Sequence, residues 1–319
     1  MKLIIQIPCY NEEKTLAVAL SNLPRKVEGF DAVEWLIIND GSIDRTVEVA
    51  RESGVDHIVN FKENQGLAKG FMAGLSACLK QGADVIINTD ADNQYNADDI
   101  PKLVKPILEG KADMVVGARP ITQIEHFSAR KKMLQRLGSW TVKIASRTSI
   151  PDAPSGFRAI SKEAALKLNV FNEYTYTLET IIQAGRTGIA ITSVPIRTNE
   201  DLRPSRLVKS ISKYVRLSLY TILRVFTIYK PFRTFFTIGA IFFIAGFAIG
   251  VRWLYLFFVM GTARTHVPSL ILASIFIILG TLIGMMAVIG DLLAVNRRLL
   301  EDIQYRIRNL EVDNRPQKR

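Results

Sequence analysis

Two stretches in the last third of the chain constrain its folding more than any other feature. Residues 232–260 carry only Arg233, at their edge, and Arg252, and residues 267–290 carry no charge at all. A helix needs about 20 apolar residues to cross a hydrocarbon core of roughly 30 Å, so each stretch is long enough. Residues 261–266 form a short turn between them. The pair reads as a transmembrane hairpin over residues 232–290, with a buried helical hairpin of a soluble domain as the alternative. Arg252 lies near the end of the first span and can snorkel to the interface. Arg203, Arg206, Lys209, Lys213, Arg216, Arg224, Lys230 and Arg233 cluster before or at the start of the first span. Arg297, Arg298, Arg306, Arg308, Arg315, Lys318 and Arg319 follow the second, and the turn carries only Arg264. The positive-inside rule then predicts a multi-pass protein of the cytoplasmic (inner) membrane with both termini in the cytoplasm.

The net charge of +11, from 41 basic and 30 acidic residues, calls for an anionic partner. Much of it hugs the spans, and no recognised nucleic-acid motif accompanies it, so a membrane surface or phosphorylated substrate is expected and nucleic acid is not. Residues 205–226 place Arg206, Lys209, Lys213, Arg216 and Arg224 at intervals of three, four or their multiples among Leu207, Ile211, Tyr214, Val215, Leu219, Ile222 and Phe226. That pattern predicts an amphipathic juxtamembrane helix in the headgroup plane; a solvated helix packed on the preceding domain is the alternative. Cys9 and Cys78 are the only cysteines, which excludes a disulfide scaffold and favours a reducing compartment. With three histidines they cannot build a zinc cluster of the usual spacing. The N-terminus reaches a proline and charged residues too early for a signal peptide.

The first half alternates short apolar runs (residues 3–7, 35–38, 57–59, 85–88 and 114–116) with helical patterns at 13–23, 43–52, 66–80 and 98–108. Such alternation predicts an α/β fold, a mostly parallel sheet with helices on both faces. Ligands of such sheets bind beyond the carboxyl ends of the strands, where the polar clusters fall. The expected division is a cytoplasmic domain at 1–204, juxtamembrane helices at 205–231, two transmembrane helices at 232–290, and a C-terminal helix and tail at 291–319.

Those clusters are Ile7-Pro8-Cys9-Tyr10-Asn11-Glu12-Glu13, Ile38-Asn39-Asp40-Gly41-Ser42-Ile43-Asp44, Asn64-Gln65-Gly66-Leu67-Ala68-Lys69-Gly70 and Thr89-Asp90-Ala91-Asp92-Asn93-Gln94. Two carboxylates one residue apart after a strand, Asp90 and Asp92, can hold a hard divalent cation through oxygen. Such an ion can act as a Lewis acid on a bound oxygen. Asp44 reads as a helix cap, and Asp40 as either turn chemistry or a functional carboxylate. Gly66, Gly70 and Gly74 recur every four residues without a phosphate-loop or dinucleotide fingerprint, so close helix packing is expected of Gly70 and Gly74.

In order and spacing the four motifs resemble the family 2 glycosyltransferases with the Rossmann-like GT-A fold. The resemblance implies a metal-dependent hexosyltransferase using a nucleotide-sugar donor and Mg2+ or Mn2+. It assigns Asp90, Asp92 and Gln94 to the metal, with Asp92 also catalytic. Pro8, Tyr10, Glu12, Asp40, Asp90 and Arg119 (in the Gly117-Ala118-Arg119 element) go to the donor nucleotide. Pro151-Asp152-Ala153-Pro154-Ser155-Gly156-Phe157-Arg158 further resembles the Asp-x-x-Ser-Gly-Phe segment of dolichol-phosphate mannose synthases and bacterial polyprenyl-phosphate glycosyltransferases, whose acceptor is a lipid phosphate.

In that subfamily this region faces the acceptor. Asp152, or Glu179 within Tyr-Thr-Tyr-Thr-Leu-Glu-Thr-Ile-Ile (174–182), is expected to orient or deprotonate it. Ser155 and Arg158, with Arg197, Arg203 and Arg206, are expected to bind the acceptor phosphate. The subfamily's Arg-x-x-Gly-x-Ser-Lys element appears here only as Ser205-Arg206 without the glycine, so Arg197 and Arg203 both compete for its arginine. Since a phosphate monoester is mostly ionised at pH 7, positioning and leaving-group stabilisation should dominate catalysis. The expected reaction is inverting transfer of a sugar from a UDP- or GDP-sugar to an undecaprenyl or dolichyl phosphate, for glycan or cell-wall assembly.

A tethered transferase acting on a glycan or protein, and a non-catalytic membrane scaffold, are the alternatives. A processive polysaccharide synthase is disfavoured because Gln135-Arg136-Leu137-Gly138-Ser139-Trp140 is not Gln-x-x-Arg-Trp. Leu293, Leu300 and Ile307, with Asn296, Ile303 and Leu310, repeat every seven residues. They predict either a homo-oligomeric coiled-coil seam, up to a tetramer, or a helix packed on the catalytic domain.

Overall fold

The computed structural model describes residues 1–120, 148, 150–170, 176–199, 227, 231–259 and 267–313. The chain divides into two units, residues 1–215 with 301–319, and residues 216–300. The expected juxtamembrane helix at 205–226 lies outside the described residues, as do Arg203 and Arg206.

The first unit is built on seven strands: β1 (Lys2–Cys9), β2 (Ala32–Asn39), β3 (His57–Asn60), β4 (Val85–Asn88), β5 (Met114–Ala118), β6 (Arg158–Ser161) and β7 (Ile191–Pro195). Its helices are α1 (Leu16–Asn22), α2 (Thr46–Glu52), α3 (Leu67–Lys80), α4 (Ile100–Leu108), α5 (Lys162–Lys167) and α6 (Thr177–Thr187). The sheet order is β3-β2-β1-β4-β6-β5-β7. All pairings are parallel except those of β6, which runs antiparallel to both neighbours. The expected mostly parallel α/β sheet is therefore present, and the five sequence-predicted strands coincide with β1 to β5.

β1 is covered on both faces, which is why its sequence is nearly all apolar. Leu3, Ile5, Ile7 and Cys9 join the cluster formed with Leu16 and Leu20 of α1 and Ile100 and Leu103 of α4. Gln6, of the opposite parity, faces α3. A Cβ on Gly74 would lie 2.5 Å from Gln6 Oε1 and 2.7 Å from Ile38 Cδ1, so α3 comes this near the sheet only because residue 74 is glycine. Gly70 makes only ordinary contact with Ile38.

Topology gathers the site. β1, β2 and β4 end together, with Cys9 beside Asn39 and Gln6 beside Asn88. Antiparallel β6 starts at Arg158, opposite Asn88, so residues 152–157 arrive at the edge the parallel strands leave. Ala118 pairs with Pro195, which brings Arg119 and residues 196–199 to that edge as well.

The second unit contains α7 (Pro231–Phe258) and most of α8 (Val267–Asp313). Both are long and apolar enough to cross a membrane. Cβ atoms on Gly239, Gly246 and Gly280 would lie 2.8 Å from Gly280 O, 2.8 Å from Ala273 O and 2.6 Å from Phe243 N. The two helices thus cross backbone to backbone in an antiparallel hairpin, the close approach that small residues permit where burial of apolar surface supplies no drive. α8 runs without a break through the expected boundary at 290/291. Its last turns belong to the first unit. There Arg308 donates to Leu168 O at 2.8 Å and Lys167 lies over the Tyr305 ring. The docked face is polar, and Ile303, Ile307 and Leu310 stay exposed.

Candidate active site at the carboxyl edge of the sheet

The first-strand and second-strand loops lock each other. Asn11 N donates to Ser42 Oγ, Glu12 N to Thr46 Oγ1 and Glu13 N to Asp44 Oδ2. Asp44 Oδ1 also accepts from Thr46 N at 3.1 Å, a local turn bond one residue ahead of the Arg45 N-cap and not the expected helix cap. Glu12 is buried and takes the Thr15 hydroxyl at 2.8 Å. Pro8 is half-buried and Tyr10 is exposed at the rim.

Asp40 is buried and has a structural task that sequence reasoning missed. Its two oxygens accept the amides of Gln65 and Gly66 at 2.7 and 2.9 Å, fastening the loop before α3. Gly41 has φ +68°, and a Cβ there would fall 2.5 Å from the Glu63 carbonyl carbon. The Asp-Gly pair is what lets these loops touch.

Asp90 and Asp92 follow β4. Burial, then the charge of Asp92, push the Asp90 carboxyl up to about 7, against the pull of Arg119 and a hydrogen bond from Tyr95. Gly156 closes over Asp90: a Cβ on residue 156 would sit 3.1 Å from both carboxylate oxygens and 3.0 Å from the Tyr176 hydroxyl. Tyr95 and Tyr176 belong to a buried polar chain. Gln6 Nε2 donates to Asn88 Oδ1 at 2.9 Å. Asn88 Nδ2 donates to Gly156 O and to Tyr176 Oη, both at 2.8 Å. Gly156 N donates to Tyr95 Oη at 2.9 Å. Tyr95 stacks on Phe157 and Tyr176 on Phe71. The signal for Gln6 and Asn88 was a polar residue inside or ending an otherwise apolar strand; Tyr95 and Tyr176 gave none.

Arg119 and Asp152 meet as a fork. Arg119 Nε and Nη2 donate to Asp152 Oδ2 and Oδ1 at 2.7 and 3.0 Å, and Nη1 reaches Gln94 Oε1 at 3.3 Å. Burial works against the Arg119 charge, but the Asp152 hydrogen bonds outweigh it and hold the guanidinium protonated. Asp152 is fully buried. Both its oxygens accept from Arg119, which it anchors beside Asp90.

Two of the expected phosphate-binding arginines have partners within the fold. Arg158 is fully buried, donating to Ser155 O, Ala153 O, Thr177 O and Thr180 Oγ1. It ties the 152–158 segment to α6 and presents nothing to a ligand. Arg197 is bound to Asp99 through its amide and guanidinium. Ser155 Oγ, by contrast, is buried within the segment and has no hydrogen-bond partner among the described residues. Glu179 is half-buried in the first turn of α6. The Cys9 thiol, pushed up by burial, is no nucleophile.

No three His, Cys, Asp or Glu side chains converge as a metal cage among the described residues. The pair Asp90 and Asp92 nevertheless suits a hard cation, since Mg2+ is commonly held by one or two carboxylates with substrate phosphates completing the shell. A cavity of about 460 Å3 lies elsewhere, between α4 and β7. Its Lys105 and Lys111 pair with Glu109, and none of Asp40, Asp90, Asp92, Arg119 and Asp152 lines it.

The chain is similar to the UDP-N-acetylglucosamine–dolichyl-phosphate N-acetylglucosaminyltransferase of Methanococcus voltae, at 30% identity over 60% of this chain and 83% of that protein. It is also similar to the undecaprenyl-phosphate mannosyltransferase of Micrococcus luteus, at 27% over 61% and 83%. Among solved structures it shares its fold with glucosyl-3-phosphoglycerate synthase of Mycobacterium tuberculosis, crystallised with Mn2+, UDP and glucosyl-3-phosphoglycerate. The TM-score is 0.53 with 22% identity, over 69% of this chain and 79% of that one. The model of Glycosyl transferase family 2 matches residues 4–168. That match takes in β1 to β6 and the loops that converge on Asp90, and by it the protein belongs to glycosyl transferase family 2.

Proposed function

We propose that this glycosyltransferase moves a sugar, with inversion, from a nucleotide-sugar donor to a polyprenyl phosphate at the cytoplasmic face of a membrane. The observation that carries the reading is the Asp90–Asp92 loop closed by Gly156 of the 152–158 segment, in a chain that also holds two membrane-length apolar helices. The names of the Methanococcus and Micrococcus relatives point to the same class of acceptor.

Asp90 and Asp92 would hold Mg2+ or Mn2+, which supplies charge neutralisation for the departing nucleoside diphosphate. Arg119, fixed by Asp152, adds a buried positive charge beside Asp90. Pro8, Tyr10, Glu12 and the Asp40-fastened loop are proposed to receive the nucleotide. Arg203 and Arg206 are proposed to attract the acceptor phosphate. Glu179 is proposed to orient the acceptor; a phosphate monoester, already ionised, needs little help from a base. Both termini would lie in the cytoplasm, and the exposed seam of α8 would join copies of the chain into a homo-oligomer.

The test is incubation of membranes with radiolabelled UDP- and GDP-sugars and polyprenyl phosphate, followed by solvent extraction. Label in the organic phase, dependent on added lipid phosphate, is expected. Label found only in protein or water-soluble glycan would overturn the reading.

A further inference from the structure

The loop that carries Asp90 and Asp92 is bent by a residue in an uncommon conformation. Asn93 has φ +57°, one of two non-glycine residues with positive φ among those described. Asparagine tolerates the left-handed region better than most side chains, but not without cost. Asp92 contributes a local turn, its Oδ1 accepting Gln94 N at 3.2 Å. A single such bond leaves a surface loop free to relax, so its shape depends on what grips it from outside.

That grip comes from Asn199, over a hundred residues later. Its Nδ2 donates to Asn93 O at 2.9 Å and to Tyr95 O at 3.3 Å, spanning the bend. Its backbone N donates to Gln94 O at 2.9 Å. Tyr95 pairs with Thr198 as an isolated antiparallel bridge, and Asn96 N reaches Arg197 O. Arg197 secures the same strand end by its fork on Asp99. On the far side Asn22 Nδ2 touches Asn93 Oδ1 at 3.2 Å. Every carbonyl from Asn93 to Tyr95 is thus taken by Asn199.

We infer that Asn199 is a positioning residue for the reaction: its side-chain amide holds the left-handed bend at Asn93 and thereby the placement of Asp92 for a divalent cation. The inference rests on the proposed cation role of Asp92, and the experiment separates the two. Mn2+ binding in the presence of UDP or GDP is titrated by electron paramagnetic resonance, and amide exchange is followed in the peptide spanning residues 89–99. In Asn199→Ala the Mn2+ dissociation constant should rise about tenfold and exchange in that peptide should quicken, with exchange in β1 unchanged. Asn93→Gly in the Asn199→Ala background should restore much of the Mn2+ affinity, because glycine adopts positive φ without help; a merely structural loss would not be rescued so. Wild-type protein that binds no Mn2+ would sink the cation reading. Unchanged exchange in Asn199→Ala would overturn the positioning role whether or not Mn2+ binds, as would an unchanged Mn2+ affinity.

Discussion

Ile4, Ile5 and Ile7 of β1 are wholly buried, whereas Ile241 and Phe247 of α7 and Ile278 of α8 remain 59–63% exposed. Equally apolar residues have opposite fates in the two units. The sheet unit closes its own core, so a polar side chain inside it must be satisfied there, and Gln6, Asn88, Tyr95 and Tyr176 form a chain that ends under Asp90. The helical unit closes only a glycine seam and presents the rest of its surface outward, as suits a hydrocarbon solvent. Buried polarity therefore marks function in one unit, and exposed apolarity marks environment in the other.

The sharpest way to break this contrast is at the cation pair. Asp92→Asn should lower transfer about a thousandfold, as losing several kcal/mol of leaving-group stabilisation implies, and EDTA should silence the wild type. Full activity in EDTA with no retained metal would refute it. Next comes the buried fork: Arg119→Met leaves Asp152 charged and unpaired, which should destabilise the sheet unit by about 3–5 kcal/mol. A melting temperature within a degree or two of wild type would show that Asp152 finds another partner.

A third test concerns pH. Because the folded Asp90 binds its proton up to about 7 and the unfolded carboxyl only to about 3.8, the folded state holds more protons between those values. Stability of the cation-free protein should therefore fall as pH rises from about 4 through 7. Asp90→Asn should flatten that slope in denaturant titrations, and an unchanged slope would count against the shift.

Smaller effects are expected outside the sheet unit's interior. Arg203→Ala with Arg206→Ala should weaken use of polyprenyl phosphate several-fold and leave donor affinity intact, since each charge near an anionic surface contributes about 1 kcal/mol. A collapse of donor affinity by calorimetry would move these arginines to the nucleotide. Last, Leu300→Asp with Ile307→Asp should lower the mass seen by light scattering in detergent, because seam charges resist desolvation. Unchanged mass would mean that the exposed seam joins no copies.

Strands, their order of appearance and the carboxylate loop were legible because they rest on local signals: apolar runs, turn residues and Asp-x-Asp spacing. The two apolar spans were legible for the same reason, since length and lack of charge suffice. The C-terminal heptads revealed an apolar stripe but not which face of α8 would dock; the structure uses the polar face, through Tyr305 and Arg308. Roles of single charged residues were the least legible. Asp152, Arg158 and Arg197 were read as ligand-facing because a carboxylate or guanidinium near a motif invites that reading. Asp152 and Arg158 are instead taken up by Arg119 and by the carbonyls of Ala153, Ser155 and Thr177, and Arg197 pairs with Asp99 while its side chain stays half exposed; the motifs gave no sign of these pairings.

What the sequence by itself determined is the chemistry available at the end of β4 and the presence of two membrane-length helices, both written in contiguous residues. Only the tertiary structure decided which charges remain free for a substrate. The antiparallel insertion of β6 delivers residues 152–157 to the edge where β1, β2 and β4 end, and hydrogen bonds across that edge settle which side chains are consumed in holding it together. Such pairings depend on three-dimensional distance between residues far apart in the chain, and no local pattern encodes them.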